Sequence, residues 1–195
     1  MHRGRPRQFD AEKALDRALQ VFWRKGYEGT SLPDLTRAMR ISRPSLYATF
    51  GNKSSLFRKA VDRYAQGPGS YLLQALAAPT ARAVVEKLLT SAHNSLTNPR
   101  YPPGCLMVQG ALTCGQSAHS IRRDLVSRRL GIETALRRRL KRAKSEGDLP
   151  PSADPAALAR YVVTVLNGMS VQAASGASRN DLRRVVKIAL RAWPN

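Results

Sequence analysis

Between Ile41 and Phe57 the chain reads ISRPSLYATFGNKSSLF, and here polar groups are spaced so that they could do chemistry. Ser42, Arg43 and Ser45 put two hydroxyls and a guanidinium into one helical turn. Tyr47 and Thr49 continue the same exposed side, and Lys53 opens the next helix. The chemistry this suits is recognition: donors for phosphates and for the acceptor edges of bases, with the helix N-terminus adding its own N–H groups. Arg43 could grip a guanine in bidentate fashion, a contact worth roughly 1–3 kcal/mol of discrimination. Catalytic groupings are absent from the sequence. It has no glycine loop to cradle phosphates, no H-E-x-x-H, no G-x-S-x-G and no paired carboxylates placed for a cleft. His2, His93 and His119 make no metal-ligand spacing. The expectation is a non-enzyme without metal or cofactor.

The charge balance points the same way. Thirty-three Lys and Arg against thirteen Asp and Glu give a net charge of +20, a field that draws polyanions. Two function classes fit that field: a sequence-specific reader of DNA, and a basic nucleoid-associated protein that coats nucleic acid without reading it. Arg3, Arg5 and Arg7 form a basic arm over residues 1–8, of a kind that lies in a narrow minor groove or stays a solvated tail. No apolar run is long enough to span a membrane, and no h-region follows the basic N-terminus. Two cysteines, Cys105 and Cys114, are too few for a disulfide framework. Cytoplasmic residence with reduced thiols and no membrane contact is expected.

The elements that must position these groups read as helices throughout. Asp10 caps a first helix that Gly26 stops. Ser31 caps a second, with Pro33 in its first turn and Asp34 in the capping-box position. Ser42 caps a third, and Asn52 a fourth that runs to about Gln66, where QGPGS breaks the pattern. Later helices are predicted over 80–98, 104–114, 117–145, 154–175 and 178–193, about nine in all. The fold class is all-α. Leu35, Ala38, Ile41, Leu46 and Phe50 space like the inner face of two short helices packed on Phe22 and Trp23, the helix-turn-helix layout over about 31–50.

Residues 8–57 resemble the DNA-binding domain of the TetR family of bacterial transcriptional regulators. The likeness rests on Phe22, Gly26-Tyr27 and Thr30-Ser31, and on the L-Y-x-x-F-x-x-K-x-x-L-F pattern from Leu46 to Phe57. It implies a DNA-binding domain over 9–66 and an effector-binding and dimerisation domain over 67–195. It also implies that Ser31 meets a phosphate, that Arg43, Pro44, Ser45, Tyr47 and Thr49 form the reading face, and that Lys53 holds the backbone. Two positions depart from the family pattern. Arg40 stands where the turn usually has Gly, and Thr49 stands where members often carry His. By family habit the protein is a repressor, released from a palindromic operator by a small effector.

Downstream, the resemblance implies a homodimer built from the last two long helices. The pattern agrees: an apolar face with Val162, Val165, Leu166 and Met169, and a stripe with Leu182, Val185, Val186 and Ala189. Gly168 reads as a close-approach point. The unknown effector's pocket is expected near Tyr64, Tyr71, Cys105, Met107 and Tyr161, although aromatic residues at helical spacing also serve as plain core. A Gly-Cys-Leu like that at 104–106 opens the helix beside the ligand cavity in a subgroup of the family, and some members there sense electrophiles or metals. At a helix N-terminus the Cys105 thiol could have a lowered pKa. Segment 122–144 carries ten basic residues, read as a solvated face opposite Leu125, Ile132, Leu136 and Leu140, or as a long-range attractor of DNA or an acidic partner.

Overall fold

A computed structural model describes residues 9–110 and 115–194. These residues form ten α-helices: α1 (Ala11–Lys25), α2 (Leu32–Met39), α3 (Arg43–Phe50), α4 (Lys53–Gln66), α5 (Tyr71–Leu76), α6 (Ala81–Leu96), α7 (Leu106–Gln109), α8 (His119–Ser145), α9 (Pro155–Ala174) and α10 (Arg179–Arg191). A 3-10 turn, Gln116–Ala118, leads into α8. No strand occurs among the described residues, so the all-α expectation is met.

The caps act as the sequence implies. Asp10 accepts the Lys13 N–H at 3.1 Å, and Gly26, at φ 68°, ends α1 in a conformation that a Cβ would disfavour. Ser31 and Asp34 make a reciprocal capping box at the start of α2, and Ser178 and Asp181 make another at α10. Two elements differ from expectation. Helix α5 was not anticipated, because it has six residues and Ser70 provides no side-chain cap. The helix predicted over 104–114 is, among the described residues, the single turn Leu106–Gln109. Cys114 lies outside the described residues.

Two cores hold the helices together. The first contains Phe22, Trp23, Leu35, Leu46, Phe57 and Tyr64, with Phe22 and Phe57 edge-to-face at 5.0 Å between ring centroids. Each such side chain, fully buried, contributes about 1.5–3 kcal/mol. Leu106, Met107, Ile121 and Leu125 belong to this same core, so α7 and the start of α8 complete the packing of the N-terminal helices. The second core joins α6, the C-terminal half of α8, α9 and α10, closed by Trp193. The boundary expected near residue 66 therefore divides the chain but not the packing. Cys105 packs against both cores.

Candidate nucleic-acid interface and the cavity behind it

Helices α2 and α3 are joined by Arg40, whose backbone is left-handed at φ 59°, ψ 42°. Its neighbour Ile41 donates back to the Thr36 carbonyl at 3.2 Å, closing the turn without the usual glycine. Leu46 and Phe50 anchor α3 in the core. Arg43, Pro44, Tyr47 and Thr49 are exposed, and Ser45 is half-buried. Ser42 Oγ accepts the Ser45 N–H at 3.2 Å, and the two hydroxyls are hydrogen-bonded to each other at 2.9 Å. Both hydroxyls thus serve the cap in the free protein. Arg43, Arg40 and Arg37 make no ion pair among the described residues, which leaves their charge available to a polyanion. Of these three, sequence reasoning named only Arg43 as a DNA contact.

Ser31 is exposed, but its hydroxyl already donates to Asp34 Oδ2 at 2.8 Å and accepts the Asp34 N–H. The Lys25 ammonium at 2.9 Å, with the Ser31 N–H and hydroxyl, holds the Asp34 carboxyl well below the usual range. Lys53 stands 4.5 Å over the Tyr27 ring, whose hydroxyl bonds Ser54 at 2.7 Å. Burial there lowers the lysine's pKa, partly offset by Glu28. Arg3, Arg5 and Arg7 lie outside the described residues.

Behind the first core, α5, α7, α8 and α9 enclose a small cavity of about 40 Å³. Tyr71, Cys105 and Met107 line it, joined by Arg129, Asn167 and Ser170, which periodicity did not reveal. Tyr64 is not part of the lining. It sits behind Cys105, donates to its Sγ at 3.2 Å, and packs edge-on against Trp23 at 4.7 Å. Tyr161 is not part of it either: it is exposed on α9. The thiol also corrects expectation. Burial pushes the Cys105 pKa up despite the Tyr64 hydroxyl and nearby N–H groups, because a four-residue helix supplies too weak a terminus to win. Nor are all ten basic residues of 122–144 solvated. Arg139 is buried and donates to the Ala78 and Pro79 carbonyls at 2.9 and 2.8 Å, at the corner between α5 and α6.

The α7 turn links the cavity to the helix-turn-helix. Trp23 Nε1–H donates to the Gly104 carbonyl at 3.2 Å, and the Tyr27 N–H to the Gly110 carbonyl at 3.0 Å. Arg128 and Asp62 pair at 2.6 Å between α8 and α4. On α9 and α10, Val162, Met169, Leu182, Val186 and Ala189 are buried in the protomer's own core. Val165 and Leu166 are half-buried. The apolar surface these two helices expose is Tyr161, Val171, Val185 and Ile188, with Ile188 at 64 %. At Gly168 an added Cβ would meet nothing within 4 Å, so no element of the protomer approaches it closely.

An exposed, cationic helix-turn-helix on a larger helical body defines a helix-turn-helix protein with a built-in cavity. Comparison with known proteins gives the lineage. The profile "Bacterial regulatory proteins, tetR family" matches residues 14–60, and "Tetracyclin repressor-like, C-terminal domain" matches residues 81–189. The chain is 35 % identical over 197 residues to the HTH-type transcriptional repressor ComR of Escherichia coli (strain K12), covering 98 % of this chain and 92 % of ComR. It is 29 % identical over 186 residues to the HTH-type transcriptional repressor BdcR of the same strain, covering 92 % and 86 %. Among solved structures, a cysteine mutant of the TetR family transcriptional regulator CifR, complexed with 26bp double-strand operator DNA, superposes with a TM-score of 0.93. That match is 44 % identical and covers 97 % of this chain and 100 % of the other. The chain belongs to the TetR family of bacterial transcriptional regulators.

Proposed function

We propose that this protein is a homodimeric transcriptional repressor that reads a palindromic operator with α3 and leaves it when a small effector fills the cavity behind α7. The observation that carries the reading is α3 itself: capped at both ends, anchored by Leu46 and Phe50, and presenting Arg43, Tyr47 and Thr49 outward without competing ion pairs. Its likeness over nearly the full chain to a regulator held on operator DNA supports the same use. Arg43, Pro44, Ser45, Tyr47 and Thr49 face bases and nearby phosphates, while Ser31, Ser42 and Lys53 hold the backbone. Ser31 and Ser42 must share or exchange their cap bonds to do so. Arg3, Arg5 and Arg7 reach into the adjacent minor groove.

One short helix reads too few bases for useful specificity, so two protomers act together, their recognition helices roughly 34–36 Å apart. The exposed apolar side chains of α9 and α10 supply the surface on which they pair. Effector binding moves α7, whose flanking Gly104 and Gly110 carbonyls hold Trp23 and Tyr27, and this spreads the two heads. Such a shift requires the effector to bind the spread state more tightly than the DNA-competent one. Like its relatives, the protein is a regulator without catalytic activity, and it resides in the cytoplasm.

The test is selection from a random pool of duplexes, followed by sequencing of the bound fraction. The expected result is a two-fold symmetric consensus. An unenriched pool would instead favour a non-specific coating protein, whose affinity comes from phosphates alone.

A further inference from the structure

The cavity has a chemical polarity that its size alone does not reveal. Ser170 is 1 % exposed, lines the cavity, and its Oγ has no hydrogen-bond partner. An orphaned buried hydroxyl is costly unless a ligand completes it. Beside it stand Asn167 and Arg129. The Arg129 guanidinium makes no ion pair among the described residues, and no Asp or Glu lines the cavity, so the chamber carries one uncompensated positive charge. The remaining walls are mainly apolar.

A second, wider groove of about 230 Å³ adjoins it between α5 and α8. The two spaces share Leu72, Met107 and Ile132 as lining, so those three side chains are the partition. The outer groove is lined by Leu73, Leu76, Gly131 and Ala135, and Leu73 is 74 % exposed at its edge. Its arginine, Arg128, is already paired with Asp62. A volume of 40 Å³ suits a carboxylate and little more, whereas 230 Å³ suits a flexible hydrocarbon tail.

We propose that the effector is a monocarboxylate with an unbranched apolar tail, its head on Arg129, Ser170 and Asn167 and its tail running past Leu72, Met107 and Ile132 into the α5/α8 groove. This rests on the reading of the cavity as the effector site. It also supplies the trigger. The Arg129 Nη1–H donates to the Met107 carbonyl of α7 at 2.5 Å. A carboxylate competes with that carbonyl for the guanidinium and is the stronger acceptor. The carbonyls of Gly104 and Gly110, on either side of α7, are the ones that hold Trp23 and Tyr27. Freeing Met107 therefore releases the turn that supports the DNA-binding helices.

The experiment titrates the full chain with octanoate, octanol, octylamine and butanoate by calorimetry, and measures release of the selected operator duplex in parallel. Octanoate is expected to bind about tenfold or more tighter than octanol, and octylamine weakest. Arg129→Gln should bring octanoate and octanol within about twofold of each other, and Ser170→Ala should weaken octanoate several-fold. Gly131→Leu, at an exposed position with open space around it, should weaken octanoate while sparing butanoate. If Arg129→Gln fails to fold, the head-group series on the wild type and the Gly131→Leu pair carry the test. Equal binding of octanol and octanoate, or no binding of either by folded protein, overturns the proposal. If the duplex is bound and no carboxylate is, only the ligand class fails. If octanoate binds and the duplex stays bound, the release mechanism fails.

Discussion

Arg40 and Asp34 show how single side chains set the recognition unit. Arg40 occupies a left-handed turn that only glycine adopts freely. Arg40→Gly should therefore stabilise the protein by about 0.5–1 kcal/mol, read as a higher urea midpoint with unchanged slope. Asp34 is held ionised by Lys25 and Ser31, so its folded pKa lies below the unfolded value of 3.8. A depressed carboxyl contributes stability that is complete above the unfolded pKa and is lost as pH falls through the folded one. Asp34→Asn should lower Tm at pH 7, and the gap to wild type should narrow once the pH drops below 3.8. At this scale much was legible in the sequence, because a cap is local chemistry: Ser31, Ser42 and Asn52 each bond a backbone N–H three residues on. The Cys105 thiol was not legible, since burial raises its pKa against the Tyr64 hydroxyl, and sequence spacing carries no record of that burial.

Among elements, the amphipathic helices expose the limit of periodicity. The stripe Leu182, Val186 and Ala189 on α10 is apolar, and a stripe says that something covers it without saying what. The cover is the protomer's own core. The apolar side chains exposed beside the stripe are Val185 and Ile188. Two substitutions on α10 separate these roles. Leu182→Ala should cost about 2–5 kcal/mol of unfolding free energy, because it opens a cavity in a closed core. Ile188→Lys, at an exposed site, should change protomer stability by less than about 0.5 kcal/mol while shifting sedimentation from dimer toward monomer. Helix α5 went unforeseen for a related reason: six residues without a side-chain cap are helical here because tertiary packing on α6 and α8 holds them.

The whole molecule joins two cores through the short α7 turn and through α8, whose start packs in the first core and whose C-terminal half packs in the second. Met107 belongs to the first core, lines the cavity and accepts from Arg129, while Cys105 packs against both cores. Neither the sharing of cores nor the charge in the cavity follows from local sequence, because Arg129 and Ser170 come from helices separated by a long loop and meet only after folding. The net charge of +20, by contrast, is a sum over residues, and the all-α class follows from local caps and helical periodicity. Charge also explains affinity without explaining specificity, which is where the account is most exposed. The decisive measurement is the affinity of wild type and Arg43→Ala for the selected operator and for a scrambled duplex at one salt concentration. Wild type should favour the operator by about 10³-fold or more. Arg43→Ala should lose about 1–3 kcal/mol on the operator and little on the scrambled duplex. An equal loss on both duplexes would contradict the claim that α3 reads sequence.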